Sequence, residues 1–318
     1  MLDSLRILYI DPALLIPPID FDNYGPRMFI ENLMKIDVIL AANTLGDELT
    51  DGFMLYIEYL QQVSDIHPAV ALDLCNLPEL YDPSLIVWRS VVRGFIAPSV
   101  YVGKHSQTLE SGKPVRIVYP PVSHGATSQD YHNNACKANL PSWPRKVSGK
   151  FRIGCIGRLT FERSPGLCIL LMADIIRIQG RDFVHRSLEF LVVGGGELLA
   201  DLIRLAEELE IADLITFTGF VSNIHEVLVT LDLAVNTMVR GENFGILNAE
   251  CVMSCTPVIS FNRSATQESL SGAVSSSLLV QDITLSSLVE RLLEILHGNI
   301  EISADMLRYT TASHFLCQ

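Results

Sequence analysis

The chain has 318 residues, of which 49% are apolar and 19% charged, and its formal net charge is -13 at pH 7. This length allows two domains of ordinary size, and the apolar content excludes an intrinsically disordered chain. The acidic balance argues against a general nucleic-acid binder, because contact with a phosphate backbone requires a basic surface.

One basic stretch interrupts this acidic background. No acidic residue occurs in the run that contains Lys137, Arg145, Lys146, Lys150 and Arg152. A solvated linker explains the run best, and contact with an anionic membrane surface is the alternative. The apolar segment 85–102 contains Arg89 and Arg93, so it is a poor candidate for a membrane span.

The cysteines indicate the compartment. There are seven, an odd number, and none forms a CxxC pair. This pattern indicates neither a disulfide framework nor a zinc site, so free thiols in a reducing compartment are expected. No basic region precedes the first apolar run, so no signal peptide is predicted. We therefore expect a cytoplasmic protein, with peripheral contact at the cytosolic face of a membrane as an option.

The first half of the chain alternates short apolar runs with a helical segment. The sequence predicts a helix at 26–35 and strands at 5–10, 36–41, 69–72, 94–97 and 116–119. A β-α-β opening of this kind implies a parallel sheet. Apolar periodicity then disappears, which predicts a linker at 123–150 between domains at 1–122 and 151–318.

The second half has a clearer strand and helix pattern. Strands are predicted at 151–156, 188–193 and 214–217 and from residues 231 and 257, with helices between them and a last helix at 285–296. Ser164 before Pro165 predicts a helix cap, and Asn223 with Glu226 three residues later predicts a capping box. Together the halves predict two facing Rossmann-like α/β domains with parallel sheets.

A glycine triplet, Gly194 to Gly196, follows one predicted strand. A dinucleotide fingerprint would need a further glycine at Leu199 and an acidic residue near Gly219, and both are missing. The triplet therefore indicates a tight turn between strand and helix rather than a nicotinamide or flavin site.

The segment 231–261 predicts a strand, a loop with Glu242, a helix that begins near Gly245 and carries Glu250, and a second strand. Its helix N-terminus would lie at the carboxyl ends of parallel strands, where open α/β sheets bind ligands. Eight helical residues span about 12 Å, whereas the two carboxylates of a glycosidase flank one bond at roughly 5 to 9.5 Å. This spacing suits two contacts on one elongated ligand better than one shared bond. For Glu242 and Glu250 taken alone, the alternative is a helix cap plus a surface charge.

Four motifs follow one another in the second half: 157–166 (GRLTFERSPG), 192–196 (VVGGG), 218–221 (TGFV) and 241–250 (GENFGILNAE). Their order and spacing, from about residue 151 to 298, resemble the family 4 retaining glycosyltransferases of the GT-B fold. In the first half the resemblance depends only on 97–99 and 117–121. It implies a C-terminal domain that binds a nucleotide-activated sugar and an N-terminal domain on the acceptor side. Here the N-terminal domain is expected to be shorter than is usual in the family.

The resemblance also implies residue roles. Arg158 and Arg163 would hold the donor diphosphate. The transferred sugar would be held by the Glu242 carboxylate and by the backbone amides of Phe244, Gly245 and Ile246.

The remaining roles concern the nucleoside and the acceptor. Glu250 would bind the ribose hydroxyls, and Phe220 and Val221 would lie against the base. His67 is the nearest match to a histidine that lines the reaction cleft in this family, although a loop histidine without a catalytic part is commoner.

The implied reaction is hexosyl transfer from a nucleoside-diphosphate sugar, with retention of configuration, to a glycan, lipid-linked or small-molecule acceptor. The resemblance also implies no cofactor and no divalent metal, because fixed cations with a helix N-terminus can stabilise the leaving group. The lost glycines and the shortened acceptor domain favour an alternative, a catalytically degenerate partner subunit or scaffold. Cys255 stands where glycine usually ends the helix, and 264–268 stands in place of a Gly-Gly-x-Pro-Glu loop. Residue 163, where the family usually has lysine, is arginine.

Overall fold

The computed structural model describes residues 7–10, 38–42, 69–73, 92–109, 112–122, 149–254, 256–270 and 278–300. The chain divides into two compact units, Met1–Tyr119 and Pro120–Gln318. The helix predicted at 26–35, most of the predicted linker, His67 and Cys255 lie outside the described residues, so the expectations for them stay predictions.

The first unit contains a five-stranded parallel sheet with the strand order β1-β2-β3-β4-β5. The strands are β1 Ile7–Ile10, β2 Val38–Ala42, β3 Ala69–Asp73, β4 Val92–Ala97 and β5 Val115–Ile117. Helix α1, Val100–Leu109, follows β4, and the Ser99 hydroxyl caps it by accepting a 3.1 Å hydrogen bond from the Val102 amide. The five predicted strands are confirmed, with shifts of one or two residues at their ends.

The second unit contains a six-stranded parallel sheet with the order β11-β10-β9-β6-β7-β8. The strands are β6 Phe151–Ile156, β7 Leu188–Val193, β8 Ile215–Gly219, β9 Leu233–Asn236, β10 Val258–Phe261 and β11 Leu279–Val280. The described helices are α2 Gly166–Gln179, α3 Arg181–Ser187, α4 Leu199–Glu208, α5 Ile224–Leu228, α6 Ile246–Met253, α7 Thr266–Ser269 and α8 Leu285–Leu296.

The central strands of this sheet are buried on both faces. Along β7, Phe190 and Val192 belong to one apolar cluster with α2, α4 and α8, whereas Leu191 and Val193 belong to another with α5 and α6. Strand positions covered on both faces are apolar in succession, which explains the continuous apolar run from Phe190 to Val193. The predicted bounds of β6, β7 and α8 are accordingly confirmed without a shift.

Two predicted helix caps are wrong in detail. Ser164 has a left-handed backbone, with φ of 51°, and ends a 3₁₀ turn at Phe161–Arg163, so its side chain does not cap α2. Asn223 is the N-cap residue of α5, but its side-chain amide donates a 3.1 Å hydrogen bond to the Glu226 carboxylate. Both side chains can form hydrogen bonds to a helix N-terminus, but the conformation of the neighbouring turn determines which groups they contact.

The expectation that all the thiols are free is also wrong. Cys155 on β6 and Cys168 on α2 form a disulfide, with Cα atoms 6.2 Å apart. The number and spacing of the cysteines could not reveal this pair. The two residues come together because helix α2 packs against strand β6, which it follows in the chain.

Arg152 does not belong to a solvated linker. Its side chain is 3% exposed, and its Nε donates a 2.9 Å hydrogen bond to a Glu189 carboxylate oxygen on β7. A second guanidinium nitrogen donates to the Thr230 hydroxyl at 3.2 Å. Arg152 therefore joins two strands, and membrane contact stays a prediction for residues 137–150 only. Among the described helices, none is long and apolar enough to cross a membrane.

The buried ion pair of Arg152 generates a stability prediction. We expect Arg152→Ala to lower the free energy of unfolding by about 3 kcal/mol, because it leaves the Glu189 carboxylate without its partner. Arg177→Ala is the control: this arginine is 72% exposed and pairs with Asp174 within one helix, so a loss below about 1 kcal/mol is expected. Urea denaturation followed by circular dichroism measures both. Equal losses in the two variants would contradict the assignment.

Candidate functional site

The site lies where the strand order of the second sheet reverses. From β6 the chain adds β7 and β8 on one side and then returns to place β9 on the other side of β6. Such a switch point leaves a crevice at the carboxyl ends of the two central strands, and open α/β sheets bind their ligands there. The loops after β6 and β9 carry Arg158, Arg163 and Glu242, so three predicted site residues come from the two loops of the switch point.

Glycines allow the loops after β6 and β7 to lie in direct backbone contact. A Cβ atom at Gly194 would lie 1.9 Å from the Gly157 carbonyl oxygen, and one at Gly196 would lie 2.4 Å from the Leu159 carbonyl oxygen. Leu159 in turn donates its amide to the Gly195 carbonyl at 3.0 Å. The triplet is therefore a tight turn, as predicted, and its lack of side chains fixes the Arg158 loop against the sheet.

Arg163 and Glu242 form an ion pair across the switch point. Arg163 Nη1 lies 3.0 Å from Glu242 Oε1 and 3.2 Å from Oε2, and the Glu242 side chain is only 7% exposed. A carboxylate buried to this degree needs a charged or hydrogen-bonded partner. The two residues whose predicted partners are the diphosphate and the sugar thus compensate each other's charge.

Two buried asparagines form a chain of hydrogen bonds that begins at the Glu242 carboxylate. Asn236, the last residue of β9, donates from Nδ2 to Glu242 Oε1 at 3.2 Å and to Asn248 Oδ1 at 3.0 Å. Asn248 lies on α6 and donates to the Ser269 hydroxyl at 3.4 Å. Sequence reasoning missed both asparagines. A polar residue within an apolar pattern is the signal that could have found them, because buried polar groups are almost always hydrogen-bonded.

Arg158 has a different environment from Arg163. Its side chain is exposed, and no ion pair to it is formed by the residues that the structure describes. It lines a small cavity together with Arg163, Pro165 and Thr237, and the Thr237 hydroxyl donates to the Arg163 carbonyl at 3.3 Å. The cavity therefore presents one available guanidinium and a second one already paired.

The N-terminus of α6 borders the same loop. Gly245 is its N-cap with φ of 90°, and a Cβ atom there would lie 2.7 Å from the Ser269 hydroxyl. Phe244 is buried, whereas the Ile246 side chain is exposed. The first amides of a helix have no acceptor within the helix and carry its positive dipole end, so this terminus can accept an anionic or hydroxyl-bearing ligand.

Phe220 follows β8 on the neighbouring side of the switch point. Its side chain is 81% exposed, and its backbone approaches Gly195 so closely that a Cβ atom there would meet Phe220 Cβ at 3.3 Å. Val221 is half-buried beside it. An aromatic ring so exposed beside a glycine loop provides a flat surface for stacking, as its predicted role requires.

Glu250 lies one turn further along α6 and is half-buried. Burial raises the pKa of its carboxyl above the ordinary value of 4.5, and no opposing charge or hydrogen bond lowers that pKa. Such a carboxylate can still accept hydrogen bonds from a ligand.

The arrangement agrees with the matches to known proteins. A family model described as glycosyl transferases group 1 matches residues 140–313, more than half of the chain. The chain belongs to this family.

One curated relative of this chain is a 2-deoxystreptamine glucosyltransferase from Streptomyces kanamyceticus. The two proteins are 28% identical over 156 residues, which is 48% of this chain and 38% of the relative. The matched segment thus spans well under half of that enzyme.

Solved structures show the fold of this family member. HepE of Anabaena in complex with UDP aligns with a TM-score of 0.65 and 15% identity, covering 91% of this chain and 77% of that one. A glycosyltransferase from Rickettsia africae aligns with a TM-score of 0.66 and 12% identity, covering 98% and 94%. The predicted GT-B fold with parallel sheets is thereby confirmed.

The Glu250 environment generates a prediction on stability. A carboxyl whose pKa is raised in the folded state favours folding below the unfolded pKa and loses that contribution as the pH rises through the folded pKa. Glu250→Gln should therefore unfold at a higher temperature than wild type at pH 7, and the difference should shrink as the pH falls toward 4.5. Calorimetry across this range measures it. The exposed Glu207, changed to Gln, is the control, and a Glu250→Gln gain that does not vary with pH would contradict the prediction.

Proposed function

We propose that this chain transfers a hexosyl group from a nucleoside-diphosphate sugar to an acceptor with retention of configuration and without a divalent metal. The observation that carries the proposal is the buried Glu242 carboxylate held by Arg163 at the switch point of the sheet. A charge pair buried beside an available cation and a helix N-terminus is costly for stability alone, which favours a binding role.

The leaving group determines what the cations do. A nucleoside diphosphate gains negative charge as the glycosidic bond breaks, so cations fixed near it stabilise the transition state more than the ground state. Arg158 is available for this contact, and Arg163 can present a second guanidinium from the same cavity. This positive charge is what a divalent metal would otherwise supply.

The sugar and the nucleoside have separate positions along α6. Glu242 and the amides of Phe244, Gly245 and Ile246 would accept and donate hydrogen bonds to the sugar hydroxyls at the start of the helix. Glu250, in the middle of the helix, would accept from the two ribose hydroxyls. The exposed ring of Phe220, with Val221 beside it, would lie against the base.

The relatives suggest which donor to test first. The Anabaena protein was solved with UDP and also with UDP and glucose, and the Streptomyces relative is named a glucosyltransferase. UDP-glucose is therefore the first donor in the tests below. The acceptor stays open among a glycan, a lipid-linked molecule and a small molecule. Cytoplasmic location, peripheral membrane contact and a cleft role for His67 stay predictions.

The comparisons do not favour a degenerate scaffold. Although Arg163 replaces lysine, the positions that match Arg158, Glu242 and Glu250 all retain side chains that can perform the implied contacts. An arginine at 163 can donate two parallel hydrogen bonds to a carboxylate or phosphate, which lysine cannot.

Nucleotide binding is the first test. Titration calorimetry with UDP, GDP and ADP should show binding to at least one of them. Arg158→Ala and Glu250→Ala should each weaken that binding by about tenfold to a hundredfold, because each removes a charge-assisted contact. Arg177→Ala, an exposed arginine of α2, is the control and should bind like wild type. Binding to none of the nucleotides, or binding unaffected by both site variants, would overturn the proposal.

Turnover is the second test. Hydrolysis of UDP-glucose should proceed equally with and without EDTA, and Glu242→Ala should abolish most of it. The released glucose should appear first as the α-anomer by proton NMR if configuration is retained. Nucleotide binding without hydrolysis or transfer from any nucleotide sugar would instead support the scaffold alternative.

A further inference from the structure

Asn236 occupies a special position in this site. It is 4% exposed and ends β9, and all the hydrogen-bonding groups of its side-chain amide are used. Its Oδ1 accepts from the Met238 amide at 3.1 Å, and its Nδ2 donates to Glu242 at 3.2 Å and to Asn248 at 3.0 Å.

These partners fix the orientation of the Asn236 amide. The Met238 amide is a donor, so the atom facing it has to be the oxygen. Rotating the amide by 180° would place that oxygen against the Glu242 carboxylate and would place NH₂ against an N–H group. Asn236 therefore acts only as a hydrogen-bond donor toward Glu242.

The two oxygens of the Glu242 carboxylate differ in their support. Among the residues that the structure describes, Oε1 accepts from both Arg163 at 3.0 Å and Asn236 at 3.2 Å, whereas Oε2 accepts from Arg163 alone at 3.2 Å. If Arg163 moves to a bound diphosphate, it loses part or all of this contact. Asn236 is then the side chain that still holds Oε1, and Oε2 becomes available to the sugar.

We propose that Asn236 is a positioning residue, a fixed donor that keeps the Glu242 carboxylate aimed at the sugar when Arg163 engages the diphosphate. The inference rests on the proposed function and adds to it an order of events. Diphosphate binding releases one carboxylate oxygen of Glu242, and Asn236 prevents the rest of the side chain from following Arg163.

Asn248 and Ser269 extend this support into the helices. Asn248 is fully buried on α6; its oxygen accepts from Asn236, and its nitrogen donates to the Ser269 hydroxyl on α7. The Ser269 hydroxyl donates to the Thr266 carbonyl at 2.9 Å. The chain of amides thus ties the end of β9 to the helix whose first amides face the sugar, so Glu242 and that helix keep one relative position.

A charge at position 236 provides a sharp test. Asn236→Asp has nearly the same shape, but the ionised carboxylate of this variant would lie beside the Glu242 carboxylate and repel it. The charged groups that face this position, among the residues that the structure describes, are Glu242 and, across it, Arg163. When protonated, the new side chain can again donate to Oε1, so lower pH should restore the contact.

The experiment compares the affinities for UDP and for UDP-glucose. Asn236→Leu should weaken UDP-glucose about tenfold and leave UDP within about twofold, because the contact it removes serves the sugar. Asn236→Asp should show the same loss at pH 8 and recover most of it at pH 5.5. Glu250 titrates in every variant, so each affinity is divided by that of wild type at the same pH.

Asn223→Asp is the matched control, because Asn223 also donates to a glutamate but on the exposed surface. It should keep the wild-type ratio of the two affinities at both pH values. Melting temperatures recorded under the same conditions identify any variant that fails to fold, and if Asn236→Leu fails, the comparison of Asn236→Asp at pH 8 and pH 5.5 alone carries the test.

The outcomes separate this inference from the proposed function. If wild type binds both ligands and the position-236 variants change UDP and UDP-glucose equally, or show no recovery at low pH, the positioning role is overturned while nucleotide-sugar binding stands. If wild type binds GDP or ADP instead of UDP, that nucleotide and its glucose conjugate replace UDP and UDP-glucose in the comparison. If wild type binds none of the three nucleotides, both proposals fall together.

Discussion

The buried carboxylate of Glu242 is the constraint on which this site depends. A charge in this position is tolerated only if its oxygens are satisfied, and the chain does so from two directions. Arg163 reaches the carboxylate from the loop after β6, and Asn236 reaches it from the end of β9. The Glu242 backbone carbonyl separately accepts a 3.1 Å hydrogen bond from the Ala265 amide. The carboxylate therefore ties together loops that are distant in sequence, and the geometry of the site depends on its charge.

Close backbone packing makes this convergence possible. The Gly194 amide donates to the Gly219 carbonyl, and the Gly157 amide donates to the Val193 carbonyl, so the turns after β6, β7 and β8 are joined without side chains. A side chain at Gly194 or Gly196 would collide with the neighbouring backbone. Arg158 and Phe220 can therefore extend from rigid turns, and a ligand would contact their side chains with little further loss of backbone conformational entropy.

The strands could be predicted from the sequence because their buried environment restricts most of their residues to apolar types. Strands covered on both faces produce uninterrupted apolar runs, and the amphipathic pattern at 285–296 could only be a helix. The helix start near Gly245 and the glycine turn followed from backbone chemistry in the same way. Arg158, Glu242, Glu250 and Phe220 came from ordered motifs, and the structure places each of them at a loop or helix of one sheet edge.

What the sequence could not supply depends on contacts across the fold. The Cys155–Cys168 bond and the burial of Arg152 arise from packing between neighbouring elements, which residue counts and charge runs do not encode. Asn236 could not be recognised from the sequence, because a single polar residue does not change the apolar pattern of a strand. Its function became visible only when Glu242 and Asn248 were found on either side of it.

Two serines at the edges of the site have a strained backbone conformation. Ser164 and Ser264 have φ angles of 51° and 54°, a left-handed backbone that glycine adopts without strain. Ser264 stands where the family pattern has glycine, and it forms a bridge with Glu242, while its buried hydroxyl has no hydrogen-bond partner among the residues that the structure describes. A serine in this conformation carries strain that a glycine would avoid. Because the backbone of Glu242 holds the loop in a conformation that its own residues disfavour, the position of Glu242 determines this loop more than the glycine pattern does.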